Sequence, residues 1–329
     1  MRGPEDRALT PGWKGISGST LKLVAIAAML MDHIALALVL RMLRTMPPGG
    51  QADFLRSLYT AMRTVGRLAF PIFCFLLVEG FERTGSRGRY LARLGAFALL
   101  SEAPYDLAFC GAALEFRHQN VYFTLFLGLL ALWGYVWIRR RPMPSPAGWA
   151  ACAVGIGACG AWLTGASRHF VRNRLLPLVP GPARFGPAAA DAALFAVICL
   201  GVGLLLLCRR WRMGRDKALA AGTCLAVLFP LMLLADLLHT DYAGTGVLTI
   251  SVMYLLRRDH VRATAAGCGV LLLKGLNELS AFGSLIPIAV YNGKRGLSLK
   301  YVFYLFYPVH LLLLWLAAWR MGTAFMGVI

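Results

Sequence analysis

Apolar runs recur along the whole chain, each closed by a short polar or basic link. A helix needs about 20 apolar residues to cross the roughly 30 Å hydrocarbon layer of a bilayer. Read at that length, the pattern predicts ten spans, near 20–42, 60–81, 91–110, 121–138, 147–165, 188–208, 218–238, 242–256, 263–288 and 300–319. The eighth is short for a span, and the ninth is long and interrupted by Lys274, Asn277 and Glu278. In lipid each segment must satisfy its own backbone, so helices are the expected form, and no strand-like alternation competes. The expected fold is all-α, a polytopic transmembrane helical bundle of about ten helices. Residues 1–19 read as a polar cytoplasmic tail, rich in glycine and proline, and 20–329 as a single transmembrane domain. The run that begins at Leu21 reads as the first membrane helix rather than a cleaved signal peptide.

Composition agrees: 58% of residues are hydrophobic, only 15% are charged, and mean hydropathy is +0.64. The formal charge of +19 would suit a nucleic-acid partner, but its distribution does not. The cations sit in clusters between apolar runs: Arg83, Arg87 and Arg89; Arg139 to Arg141; Arg209 to Lys217; Arg257, Arg258 and Arg262. That is the pattern of cytoplasmic loops. It places the protein in the inner (cytoplasmic) membrane with both termini inside, and 111–120 and 239–241 outside. Three basic links, 41–59, 166–187 and 292–300, fall outside against the rule. The eight cysteines lie singly in apolar runs, with no C-x-x-C pair or Cys/His ligand spacing, so neither a disulfide framework nor a metal site is expected.

Ionisable groups inside spans are costly and usually face a cavity or a partner. Lys22 and His33 lie eleven residues apart on the first span, close to three helical turns, so they share a face about 16 Å apart. They could read two ends of one extended ligand; a snorkelling lysine and a histidine bonded to a neighbouring helix is the alternative. Asp32 points about 100° away from His33. Arg67 and Glu79 bracket a span kinked by Pro71, and Glu79 could equally pair with a loop arginine. Glu102 and Asp106 stand four apart around Pro104, and Asn120 follows in the next span. Further on come Asp241-Tyr242, then Lys274 and Glu278 at a spacing where they can neutralise one another. The turn Tyr291-Asn292-Gly-Lys294-Arg295-Gly296 is a candidate anion grip. Tyr307 and a second histidine, His310, open the last span.

Taken in order, Leu21-Lys-Leu with Met31-Asp-His33, Gly66-Arg-Leu-Ala-Phe-Pro-Ile-Phe with Val78-Glu-Gly80, Ser101-Glu-Ala-Pro-Tyr-Asp106, Asn120-Val-Tyr-Phe-Thr-Leu125, Asp241-Tyr242, Tyr291-Asn-Gly-Lys-Arg-Gly296 and Phe306-Tyr-Pro-Val-His310 resemble the TraX family. The likeness is weak over 140–235. The namesake of that family is associated with N-terminal acetylation of conjugative pilin. The family is itself similar to a wider superfamily of membrane acyltransferases, one branch of which carries a basic residue, ten positions and a histidine on its first span. Lys22 and His33 match that spacing, with lysine where arginine is usual. The resemblance implies an acyltransferase that moves an acetyl or other acyl group from acyl-CoA to an amine or hydroxyl, with His33 as general base. Asp32, Glu79, Glu102 and Asp106 are then candidates for the catalytic machinery. Lys22, Arg67, Asn292, Lys294 and Arg295 are candidates for holding acetyl-CoA. Asn120, Asp241, Tyr242, Tyr307 and His310 are candidates for the acceptor, which could be an exported peptide such as a pilin, a glycan or a lipid head group. Membrane lipids are expected partners, and nucleic acid and metal are not. The alternative is a proton-coupled transporter or flippase that uses the same intramembrane histidine and carboxylates.

Overall fold

The computed structural model describes residues 15–140, 145–170, 187–213, 215–297 and 300–329. The described chain is helical, and only isolated bridges, Ile16 to Tyr291 and Gln119 to Thr240, stand in for strands. Helix α1 (Gly18–Ile34) is capped by Ser17, whose Oγ accepts from Thr20 N at 3.3 Å. It runs through a π-turn (Ala35–Val39) into α2 (Leu40–Thr45), one rod of 28 residues. α3 (Gly50–Gly66) and α4 (Ala69–Arg83) return along it. The break between them follows from Pro71, which brings no N–H to the carbonyl four residues back. α5 (Arg87–Leu100), α6 (Glu102–Tyr105) and a second π-turn (Asp106–Cys110) descend again. Then come α7 (Val121–Arg140), α8 (Ser145–Phe170), α9 (Pro187–Met213), α10 (Arg215–Leu237) and α11 (Ala243–Leu255). α12 (His260–Leu271), α13 (Leu285–Ala289) and α14 (Lys300–Arg320) complete the chain. Five stretches are long and apolar enough to cross a membrane, Gly18–Thr45, Gly50–Arg83, Val121–Arg140, Pro146–Ser167 and Phe303–Arg320, with three shorter apolar helices beside them.

The two ends of the bundle differ in chemistry. At one end Gly18 N donates to Lys294 O at 2.8 Å, Arg83 donates to Gly293 O at 2.7 Å, and Arg257 pairs with Glu82 at 3.1 Å. This is the basic end. At the other, Asp241 N donates to Gln119 O at 2.9 Å and Val328 N to Phe109 O at 2.7 Å. The links 111–120 and 239–241 therefore share one end, as the charge pattern predicts. The turn at 292–297 does not join them. It lies at the basic end against Ile16–Ser19, so its cations obey the charge rule that a ten-span count made them break.

The cause is the ninth apolar stretch. It does not run from end to end, because both of its limits meet at Glu79: His260 lies 3.5 Å from Oε1, and the Tyr291 hydroxyl donates to Oε2 at 3.4 Å. α12 enters for about 18 Å, two 3₁₀ turns (Leu272–Lys274 and Leu276–Ser284) reverse the chain, and α13 returns. The reversal turns on Gly275, whose φ of 146° few other residues adopt. One re-entrant hairpin in place of one crossing also moves the far terminus. Ile16 lies at the basic end, whereas Arg41 and Arg44 donate to the carbonyls of Met326 and Gly327 at the opposite end, at 3.0 and 2.5 Å. The described first and last segments thus sit at opposite ends of the bundle, not on one side. Arg41 is fully buried, and it also donates to Ala37 O at 2.6 Å within the π-turn. These arginines at the non-basic end are consumed in holding the chain's last residues. The Arg/Pro-rich link around Arg168 to Arg184 lies outside the described residues.

Two apolar cores flank the interior. One joins Phe70, Phe75 and Phe81 of α4 to Leu129 and Leu132 of α7 and to Ile250 and Met253 of α11. The other gathers Met29, Tyr105, Phe109, Tyr307 and Leu311. His33 stands beside this second core.

Candidate functional site

A cavity of about 400 Å³ opens at the basic end. Lys22, Arg83, Arg93 and Arg295 line it with a single carboxylate, Glu79, and with Tyr90, Tyr291 and Tyr304. Glu79 is held by Arg83 at 2.7 Å. It is a partner of a neighbouring arginine and of the hairpin's two limits, and it stands far from His33, against its expected catalytic place. Burial and the Glu79 carboxylate push the Tyr291 phenol up, so it stays a donor. Among the described residues, Lys22, Arg93 and Arg295 have no carboxylate partner, and Arg93 Nε is buried with no hydrogen bond. Lys22 Nζ lies over the Phe303 ring at 5.1 Å. A half-buried space with surplus cations is an electrostatic trap for an anion. Of the turn's two cations, only Arg295 lines the cavity. Lys294 is exposed, and Asn292 accepts from Lys294 N at 2.9 Å, which fixes the turn itself.

Inward, the cavity ends on Phe73 and Tyr122. The Tyr122 ring lies 4.9 Å from that of Tyr307, and Tyr307 lies 6.0 Å from His33. Two packed rings, Tyr122 and Tyr307, thus connect the cavity wall to His33, which does not itself line the cavity. His33 Nδ1 is 2.7 Å from His310 Nε2, and the two rings are nearly coplanar, 8° apart. The Phe109 ring meets His33 edge-on at 5.2 Å. His310 is buried; its Nδ1 lies 2.7 Å from Phe306 O, and the Phe306 ring stacks on it at 4.6 Å. No partner of His33 Nε2 is found among the described residues.

Asp32 faces elsewhere. Its carboxylate pairs with Arg63 at 2.5 Å. One helical turn on, Arg67 pairs with Glu278 at 2.9 Å and lies close enough to act on the Tyr242 hydroxyl. Lys274 Nζ lies over the Tyr242 ring at 5.3 Å, and Phe70 stacks on the other side at 3.7 Å. Lys274 and Glu278 are thus divided by the Gly275 break rather than paired along a helix. With the exposed Asp241 of the 239–241 link close enough to act on Asp32 and Glu278, three cations and three anions gather in one layer beside the last turn of α1, about midway along the Gly18–Thr45 rod. Arg67 lies in this layer, not at the basic cavity. Arg63 is the residue of this layer that the apolar pattern passes over, because it reads as one more polar position at the start of the second span. Its spacing of four from Arg67, which puts both guanidinium groups on one helix face, is the signal that marks it.

The third group is local. Glu102 accepts from the Asn120 side chain, and Asn120 also donates to Ala98 O at 2.8 Å and accepts from Tyr122 N at 3.0 Å. Asn120 is thus spent on starting α7 rather than held ready for an acceptor. Asp106 accepts from Glu115 N at 2.8 Å and lies 3.8 Å from Cys110 Sγ. It ties down the 111–115 link and does not approach His33 directly. Among the described residues there is no cluster that could hold a metal ion.

An all-helical membrane protein with a cationic cavity, a histidine pair and a charge-balanced layer inside the bundle is the class this geometry defines. Residues 17–156 and 188–318 match the family described as TraX protein, and the chain belongs to that family. The unmatched stretch, 157–187, is narrower than the 140–235 region where the motifs fade. The chain is also 39% identical over 123 residues to a "Probable fimbrial assembly protein FimC, serogroup H1" of Dichelobacter nodosus, aligned over 35% of this chain and 45% of the relative. The match thus spans less than half of that relative's length. No solved structure matches the chain.

Proposed function

We propose that this protein is a membrane-embedded acyltransferase that moves an acetyl or other acyl group from acyl-CoA to an amine or hydroxyl of an exported or envelope acceptor. The supporting observation is the cationic cavity around Lys22, whose wall at Tyr122 packs through Tyr307 to His33. Coenzyme A carries its phosphates at one end and its thioester at the other, and α1 sets Lys22 and His33 about 16 Å apart. The basic end is taken as cytoplasmic, on the distribution of Arg83, Arg87, Arg89, Arg139, Arg257 and Arg262. In this reading the membrane is the inner membrane. The acceptor's nucleophile attacks the thioester carbonyl and gives its proton to His33. The C–S bond breaks, and the departing thiolate takes the proton back, leaving free coenzyme A and the acylated acceptor. The fimbrial relative's printed name favours an exported subunit of a surface fibre among the possible acceptors.

The charge-balanced layer and the re-entrant hairpin favour a second reading, a proton-coupled transporter or flippase, since broken helices and paired intramembrane charges also build transport sites. Purified protein reconstituted in liposomes separates the two. Coenzyme A thiol appearing with acetyl-CoA and a candidate acceptor supports transfer. A proton flux tied to acceptor uptake, without thiol release, supports transport.

A further inference from the structure

The histidine pair carries one inference more, which rests on His33 being the base proposed above. The Phe306 carbonyl can only accept a hydrogen bond. His310 Nδ1, 2.7 Å from it, therefore carries the hydrogen. In a neutral imidazole the other nitrogen is then a bare lone pair, so His310 Nε2 must accept. Its partner at 2.7 Å is His33 Nδ1, which must donate. A carbonyl at the far end thus fixes the direction of the whole chain, and the lone pair of His33 is left on Nε2.

The carbonyl belongs to the same helix, four residues before His310. Pro308, between the two, leaves the Tyr304 carbonyl without its helical donor. The Phe306 ring stacks on His310 and sets its plane, while Tyr307 and Phe109 meet His33 edge-on. The groups that face the pair are otherwise neutral, save Arg63, whose charge is met by Asp32. Asp32 precedes His33 in the chain but points to Arg63, so it does not orient the imidazole.

We infer that His310 is a positioning residue, holding His33 in the tautomer whose Nε2 is free to take the acceptor's proton. When His33 gains that proton, its Nδ1–H stays on His310 Nε2. No proton passes further, because the carbonyl beyond His310 cannot take one. A second proton on the pair would set two imidazolium charges 2.7 Å apart, so the pair holds one at most. The role differs from the acceptor-binding place that sequence order suggests for His310.

Nitrogen-15 NMR of histidine-labelled protein in detergent, assigned with His33→Ala and the His310 variants, reads the tautomers without any turnover. Wild-type protein is expected to show hydrogen on Nδ1 and a lone pair on Nε2 for both rings. His310→Gln keeps an acceptor and is expected to keep the His33 tautomer, with kcat within a few-fold of wild type. His310→Leu is expected to let the His33 hydrogen move to Nε2 and to lower kcat roughly 100-fold, with KM for acetyl-CoA unchanged. Hydrogen on His33 Nε2 in the wild type overturns the inference, as does a His310→Gln protein as impaired as His310→Leu. The NMR result stands or falls apart from the acyltransferase reading, which the thiol assay tests.

Discussion

Lys22 shows how much one side chain is asked to do. It starts the membrane part of α1, carries no carboxylate partner among the described residues, and shares its cavity with Arg83, Arg93 and Arg295. A charge-assisted contact of this kind contributes about 1.5–3 kcal/mol, so Lys22→Gln is expected to weaken acetyl-CoA binding by roughly tenfold or more. Titration calorimetry in detergent should show this, and the wild-type affinity should fall as salt rises. Unchanged affinity would remove Lys22 from the site. Gly66 is a residue-scale test of packing. A Cβ there would run into the Asp32 side chain, and over-packing of a tight core costs about 1–3 kcal/mol. Gly66→Ala should lower the unfolding temperature and loosen the Asp32–Arg63 pair beside it.

At the scale of elements, the first helix was legible and the hairpin was not. The Lys22–His33 relation depends only on helical period, which any apolar run preserves; Lys22 lines the basic cavity and His33 lies beyond its Tyr122 wall. The second histidine's place could not be read, because the contact joins residues 277 positions apart. The ninth segment misleads for a different reason. An apolar count is the same for one crossing and for two half-depth arms, and only Lys274, Asn277 and Glu278 at its middle betray the reversal. Glu278 in turn found Arg67 on another element rather than its chain neighbour Lys274. Breaking one side of a buried ion pair costs about 3–5 kcal/mol, whereas replacing both partners with apolar residues often costs little. Arg67→Ala is therefore expected to destabilise the hairpin strongly, and the double variant Arg67→Met with Glu278→Met to recover most of the loss in thermal unfolding. A double variant as unstable as Arg67→Ala would mean that the pair is not what anchors the hairpin.

The whole molecule is a bundle with a cationic end, a charge-balanced middle and a far end closed by its own last residues. Replacing a crossing by a hairpin puts the 292–297 turn with the basic loops and the 323–328 segment opposite. Lys294→Cys and Arg262→Cys proteins should react with an impermeant thiol reagent from one face of oriented vesicles, and Leu114→Cys and Phe325→Cys proteins from the other. Labelling of positions 294 and 114 from the same face would contradict this arrangement. Charge clusters pointed to the membrane topology but could not settle it, since Arg41 and Arg44 serve carbonyls of the chain itself rather than the side of the membrane. In the proposed reaction acyl-CoA enters at the basic end and His33 is the base. Its most direct test is release of coenzyme A thiol from acetyl-CoA by purified protein in the presence of candidate acceptors, wild type against His33→Ala. Acceptor-dependent release is expected to fall roughly 100-fold or more in His33→Ala while acetyl-CoA still binds; release that continues undiminished in that variant would rule out His33 as the base.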